Sequence, residues 1–220
     1  MNDELVHAVA GYASLVPLLC GVLIFRRAGS GIKYLTLLLA IASLTELIGI
    51  ILSAQKVSNL FLFHTYPVLE YLMFLLIYRL HFQSPKLKKL LWTSGIFFLL
   101  FSAFNSFFIQ SLNEFNTYGR AVESLLLSLL ALSYMVINLG SITPEDDKGQ
   151  PIFWINTAVL IYFPLNLVFI LMSNFLLHNF SDDFHRSLWN IHAILSLGQY
   201  VLFTIAIYQE WKSTKLPALS

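Results

Sequence analysis

Eight side chains able to ligate, titrate or hydrogen-bond stand inside stretches otherwise built from Leu, Ile, Val and Phe: Glu46, His64, Glu70, Asn105, Arg120, Glu123, Asn166 and His192. Their types support three chemistries. In the first, they line a pocket for a small polar or amphiphilic ligand, Arg120 engaging an acidic group and the glutamates engaging donors. In the second, His64, His192, Glu70 and Glu123 hold a zinc-type divalent ion with one position open for water, the arrangement of a metal-dependent membrane hydrolase. In the third, the carboxylates form a path for protons or a small solute, as in a proton-coupled transporter.

Spacing gathers these residues onto shared faces. Tyr66 and Glu70 are one helical turn apart, as are Tyr162 and Asn166, so each phenol lies beside its polar partner. Arg120, Glu123, Ser124, Leu127, Ala131, Tyr134 and Asn138 fall on one broad helical face, and Trp189, His192, Ser196 and Gln199 on another. The ligand reading therefore assigns Glu46, Tyr66, Glu70, Asn105, Arg120, Glu123, Asn166 and Trp189 to one pocket. The metal reading lacks the H-x-x-x-H pair of alkaline ceramidases and adiponectin receptors, since His185 and His192 are seven apart. For the transport reading, the other half of the chain's depth offers few matching groups, mainly Asn138 and Asn156.

The elements that must position these residues are seven apolar stretches, near 5–25, 32–53, 60–82, 88–109, 118–140, 152–177 and 187–209. Each meets the roughly 20 helical residues that a hydrocarbon core about 30 Å thick requires. Hydrophobic residues make up 57% of the 220, more than a soluble domain of this size can bury. The expected fold is all-α: a single domain over 1–220, a seven-transmembrane-helix bundle in the lipid bilayer. Pro17, Pro67 and Pro164 mark expected kinks. None is followed by Gln, so the Pro-Gln signature of the SWEET and PQ-loop transporters is absent. The polar stretch Ser141–Pro151 reads as a solvated loop.

Lys and Arg give the orientation. Ten fall in turns and tail on one side (Arg26, Arg27, Lys33, Arg79, Lys86, Lys88, Lys89, Lys148, Lys212, Lys215) and three on the other (Lys56, Arg120, Arg186). That bias puts the N-terminus outside and the C-terminus in the cytoplasm. Asp3 and Glu4 precede the first apolar stretch and Arg26-Arg27 follow it, the reverse of a secretory signal, so the first helix is expected to be retained. A net charge of +1 points to no nucleic-acid partner. The lone Cys20 offers neither a disulfide framework nor a cysteine metal cage. A retinal pigment needs a lysine in the last span, and there is none.

Depth follows from about 1.5 Å of rise per residue. Glu46 lies about 10 Å inside the outer end of its span, His64, Asn105, Glu123 and His192 roughly 6–8 Å, and Glu70 and Asn166 roughly 15 Å. A carboxylate at mid-membrane costs about 2.5–3.5 kcal/mol on insertion scales. The three glutamates are therefore expected to turn inward and find partners, building a polar pocket that opens to the outer face.

Several phrases also look familiar: Phe63-His64-Thr65-Tyr66 leading to Leu69-Glu70-Tyr71, Asn105, Tyr118-Gly119-Arg120 with Glu123, Phe153-Trp154-Ile155-Asn156, Tyr162-Phe163 and Trp189-Asn190-Ile191-His192. Together they resemble a family of small uncharacterised seven-helix proteins of bacterial inner membranes. More loosely, they resemble the membrane input regions of seven-helix-type sensor kinases. The resemblance implies a bacterial inner-membrane location and a sensory role. No kinase is expected on this chain, so any signal would leave through a separate signalling protein.

Overall fold

The structure is a computed structural model that describes residues 12–138, 149–179 and 182–215, with the backbone alone for 171–179 and 182–189. Its helices are α1 (Leu15–Ile24), α2 (Ser30–Ala54), α3 (Leu62–His81), α4 (Pro85–Phe104), α5 (Thr117–Asn138), α6 (Pro151–Asn179) and α7 (Asp182–Lys215). The end of α4 widens into a π-helical turn over Asn105–Ile109. No strand occurs among the described residues. The last helix runs past the expected end at 209 to Lys215, with Lys212 and Lys215 in its final turn, where cations complement the helix dipole. Most of the Ser141–Pro151 stretch lies outside the described residues.

Local chemistry sets several of the ends. Ser84 in an extended conformation followed by Pro85 opens α4, the position where a missing N–H costs nothing. At the end of α2, Lys56 takes a left-handed backbone (φ 57°). Its N–H reaches the Ser53 carbonyl at 3.0 Å, and that of Val57 reaches Leu52 at 2.9 Å, which closes the helix as a Schellman motif. The α1–α2 pair packs closely: a Cβ at Gly21 would collide with Thr36, a small-residue contact of the kind that lets membrane helices approach.

Five helical segments are long and apolar enough to cross a membrane: Ser30–Ala54, Pro85–Ile109, Thr117–Asn138, Pro151–Ile170 and Asn190–Lys215. Between 22% and 44% of each apolar window is buried. The remaining apolar surface, such as Ile96, Phe97, Leu100, Phe107, Val136 and Val201, faces outward. Only lipid accepts such a belt without cost, and the chain is a multi-pass membrane protein by this measure. The helix α1 is apolar but described over 10 residues.

The exception is α3, and its departure has a cause. It is 20 residues long yet carries His64, Tyr66, Glu70, Arg79 and His81, and it is the innermost helix. Its packing partners are α2, α4 and α5; α6 packs between α5 and α7, and α1 joins α7 to α2. Side chains four apart along α3 point into this ring: Tyr66, Glu70, Phe74 and Tyr78. Phe74 is fully buried, its ring edge-on to Phe163 at 5.7 Å and 6.3 Å from Phe203. One turn further, Tyr78 donates to Asn156 at 2.7 Å. An aromatic layer thus fills the interior directly beyond Glu70.

Candidate functional site

The site begins with a proline. Pro67 has no N–H, so the Phe63 carbonyl four residues earlier loses its helical donor. Asn116 replaces it, donating its Nδ2 to that carbonyl at 3.0 Å. The same amide caps α5: its Oδ1 accepts from the Gly119 N–H at 2.9 Å, the usual role of Asn just before a helix. A side chain at residue 119 would collide with the Asn116 amide, so Gly is required there. This contact ties α3 to α5, and both candidate residues follow within about one turn of it. Glu70 comes three residues after Pro67, and Arg120 four after Asn116.

Arg120 meets two carboxylates through one nitrogen. Its Nη1 donates to Glu70 Oε2 at 2.8 Å and to Glu123 Oε2 at 2.9 Å. Glu70 Oε1 accepts from the Tyr66 hydroxyl at 3.0 Å, and the guanidinium lies 5.4 Å from the Tyr66 ring centroid. The three charged side chains are 14%, 7% and 0% exposed for Arg120, Glu70 and Glu123. Charge-assisted bonds of this kind are the strong ones, yet the group is incompletely satisfied. Among the described residues Arg120 Nε and Nη2 have no partner, and Glu123 Oε1 is buried with none. With both carboxylates ionised, the triad carries one negative charge in excess.

The opposite wall comes from α6 and α7. Tyr162 and Tyr200 interact electrostatically with Arg120 and Glu70, and the His192 ring lies 6.0 Å from that of Tyr162 and stacks on Phe169 at 5.5 Å. Three further buried atoms lack a partner among the described residues: Ser124 Oγ on α5, Asn166 Oδ1 on α6 and Gln199 Nε2 on α7. Buried polar atoms without partners are uncommon in folded proteins. Here these three lie on the helices that carry the triad and its facing tyrosines, and Ser102 Oγ and Asn105 Oδ1 are likewise unpartnered on α4 and its π-helical end. The triad thus leaves two donor nitrogens of Arg120 and one oxygen of Glu123 without partners among the described residues.

Of the residues expected in one pocket, the structure brings Tyr66, Glu70, Arg120 and Glu123 together, with Asn166 one turn from Tyr162. It does not bring in His64, Asn105 or Glu46. Both ring nitrogens of His64 are committed, Nδ1 to Ser106 Oγ at 2.9 Å and Nε2 to the Glu114 carbonyl at 3.1 Å. A carbonyl only accepts, so Nε2 donates to Glu114. Asn105 donates to Asn116 Oδ1 at 2.9 Å, and Gln110 ties Thr117 at 2.7 Å. These residues staple the α4–α5 connection onto α3. Glu46 lines a separate groove beside α1, and the Trp189 side chain lies outside the described residues.

The zinc alternative required His64, His192, Glu70 and Glu123 to converge. Among the described residues no three His, Cys, Asp or Glu side chains are grouped to hold a metal ion, and Arg120 occupies the space between the two carboxylates. A cation already sits where the metal would be.

Asn116 and Phe74 shape the site without belonging to the residues expected in it. The signal for the first was present: Asn116-Thr117 directly before an apolar run is a helix start, and Phe63 stands four residues before Pro67. Nothing in the sequence distinguished Phe74 from eighteen other phenylalanines. Comparison of the chain with protein-family models, with curated proteins and with solved structures gives no match in any of the three.

Proposed function

We propose that this chain is a seven-span protein of a bacterial inner membrane, with its N-terminus outside and its C-terminus cytoplasmic, that binds a small polar or amphiphilic ligand at the Arg120–Glu70–Glu123 centre. The observation that carries this reading is the incomplete satisfaction of the triad. A guanidinium used only to fasten helices would engage its carboxylates with both sides of its fork. This one spends a single nitrogen on two carboxylates, and Nε, Nη2 and Glu123 Oε1 have no partner among the described residues. A ligand with an acceptor for Arg120 and a donor for Glu123 completes both. Such a ligand would be an amino acid or another small molecule with an acidic and a donor group close together.

Binding rather than conduction is favoured by Phe74, Phe163 and Phe203, which close the interior one turn beyond Glu70. A sensory role follows if ligand occupancy shifts α3 against α5 across the Asn116–Phe63 contact and a separate signalling protein reads the change. The test is a thermal-shift screen of the purified protein in detergent with small molecules bearing both group types. A true ligand raises the Tm of the wild type by mass action and does not raise that of Glu123→Gln. A screen in which hits stabilise both proteins equally would move the site elsewhere.

A further inference from the structure

A second feature stands apart from the Arg120 centre, on the lipid-facing flank of α1. A groove of about 340 Å³ runs between α1 and α2, within the range of about 300–1,000 Å³ typical of small-molecule sites. Leu15, Leu44, Leu47 and Ile50 line it, and Glu46 is its one charged residue. The serines of the groove are turned to each other, Ser14 Oγ lying 3.1 Å from Ser43 Oγ. Neither hydroxyl bonds the carboxylate among the described residues.

Glu46 is half-buried and makes no hydrogen bond or ion pair among the described residues. It lies eight residues inside the end of α2, about 12 Å along the axis. A lone carboxylate at that depth is unfavourable and marks a functional position by default. Arg120 pairs with Glu70 and Glu123 and forms no ion pair with Glu46. What the groove lacks is a cation attached to something apolar.

We propose that the α1–α2 groove binds a cationic amphiphile: an alkylamine-type molecule whose ammonium pairs with Glu46 and whose chain lies along Leu44, Leu47 and Ile50. Charge complementarity selects the head, since one unpaired carboxylate meets one ammonium. The apolar lining selects the tail, and the open side of the groove admits the molecule laterally from the bilayer. A larger groove of about 520 Å³ on the other side of α1, against α7, shares Tyr12 with it and is lined by Val16, Leu197 and Val201. That groove has no carboxylate, so it accepts tails without selecting a head.

The experiment uses the full chain in phosphatidylcholine nanodiscs, with dodecylamine, dodecanol, dodecanoic acid and butylamine as probes and affinity read by titration. Dodecylamine is expected to bind roughly tenfold or more tightly than dodecanol and dodecanoic acid, and butylamine weakly for want of a tail. Glu46→Gln should abolish the preference for the amine, Glu46→Asp should keep it, and Leu44→Trp should weaken amine and alcohol alike by filling the groove. Equal binding of amine and alcohol to the wild type would overturn the proposal, as would a preference that survives Glu46→Gln. A preference lost in Glu123→Gln and kept in Glu46→Gln would overturn it too, by placing the amine at the Arg120 centre. Failure of the Arg120 ligand screen leaves these outcomes untouched.

Discussion

Asn116 donates to the very carbonyl that Pro67 leaves without a helical partner, the Phe63 oxygen 3.0 Å away. A defect in one helix thereby becomes the docking point of the next. The contact sets which residues of α3 and α5 face each other, and so whether Arg120 meets Glu70 at all.

The coupling can be measured. Asn116→Ala removes a helix cap and the carbonyl's donor and should cost about 1–2 kcal/mol of stability. Pro67→Ala restores a backbone N–H to the Phe63 carbonyl. In the Pro67→Ala background the Asn116 substitution should therefore cost measurably less, an interaction of at least about 0.5 kcal/mol in a double-mutant cycle. Chemical or thermal unfolding in detergent reads it. Strict additivity would mean that the two residues do not share the carbonyl.

Removing the cation should be worse than removing any one carboxylate. Arg120→Leu leaves Glu70 and Glu123 facing each other without a counter-charge, which should destabilise the protein by about 3–5 kcal/mol. Adding Glu70→Gln and Glu123→Gln to Arg120→Leu removes the stranded charges and should recover most of that loss. Thermal melting of the single and triple variants decides it, the expected order being wild type, triple variant, then Arg120→Leu.

His64 should prove a staple and not a ligand for metal. His64→Ala breaks two hydrogen bonds to the α4–α5 connection and should lower stability by about 1–3 kcal/mol. Treatment of the wild type with a chelator should leave its Tm unchanged. A Tm that falls on chelation, together with one zinc-like ion per chain lost in His64→Ala, would restore the metal reading.

Topology follows from the bias of ten basic residues against three. A C-terminal reporter should be active in the cytoplasm and an N-terminal one outside. Both reporters on one side would contradict a seven-span arrangement, and with it the outward-facing site.

Much of this was legible in the sequence because one physical quantity dominates. The length of an apolar run needed to cross hydrocarbon is fixed, so expected stretches such as 32–53 and 118–140 fall within a few residues of Ser30–Ala54 and Thr117–Asn138. Contacts within one helix were also readable, including Arg120 with Glu123 three apart and Tyr66 with Glu70 four apart. Rotation was the harder quantity. His64 precedes Glu70 by six residues, which at about 100° per residue turns it some 120° away on the same helix. Depth placed both in one polar layer, but azimuth sends Glu70 to Arg120 and His64 to Ser106. Glu46 shared the layer in the same way and faces the α1 groove instead. The Asn116 contact spans two helices and depends on which carbonyl a proline frees, so no local pattern could display it.

In the proposed function the Arg120–Glu70–Glu123 triad is a ligand site and not helix-packing glue. Native mass spectrometry of wild type and Glu70→Gln, purified in parallel, tests it most directly. Glu70→Gln keeps the side chain's shape and can still hydrogen-bond, so it should fold with a Tm close to that of the wild type. The wild type should carry a small-molecule adduct, about one per chain when a ligand is present well above its Kd, that the variant lacks. Adduct-free spectra for both proteins, with Glu70→Gln melting well below the wild type, would contradict the ligand site and leave the triad as a fastening between α3 and α5.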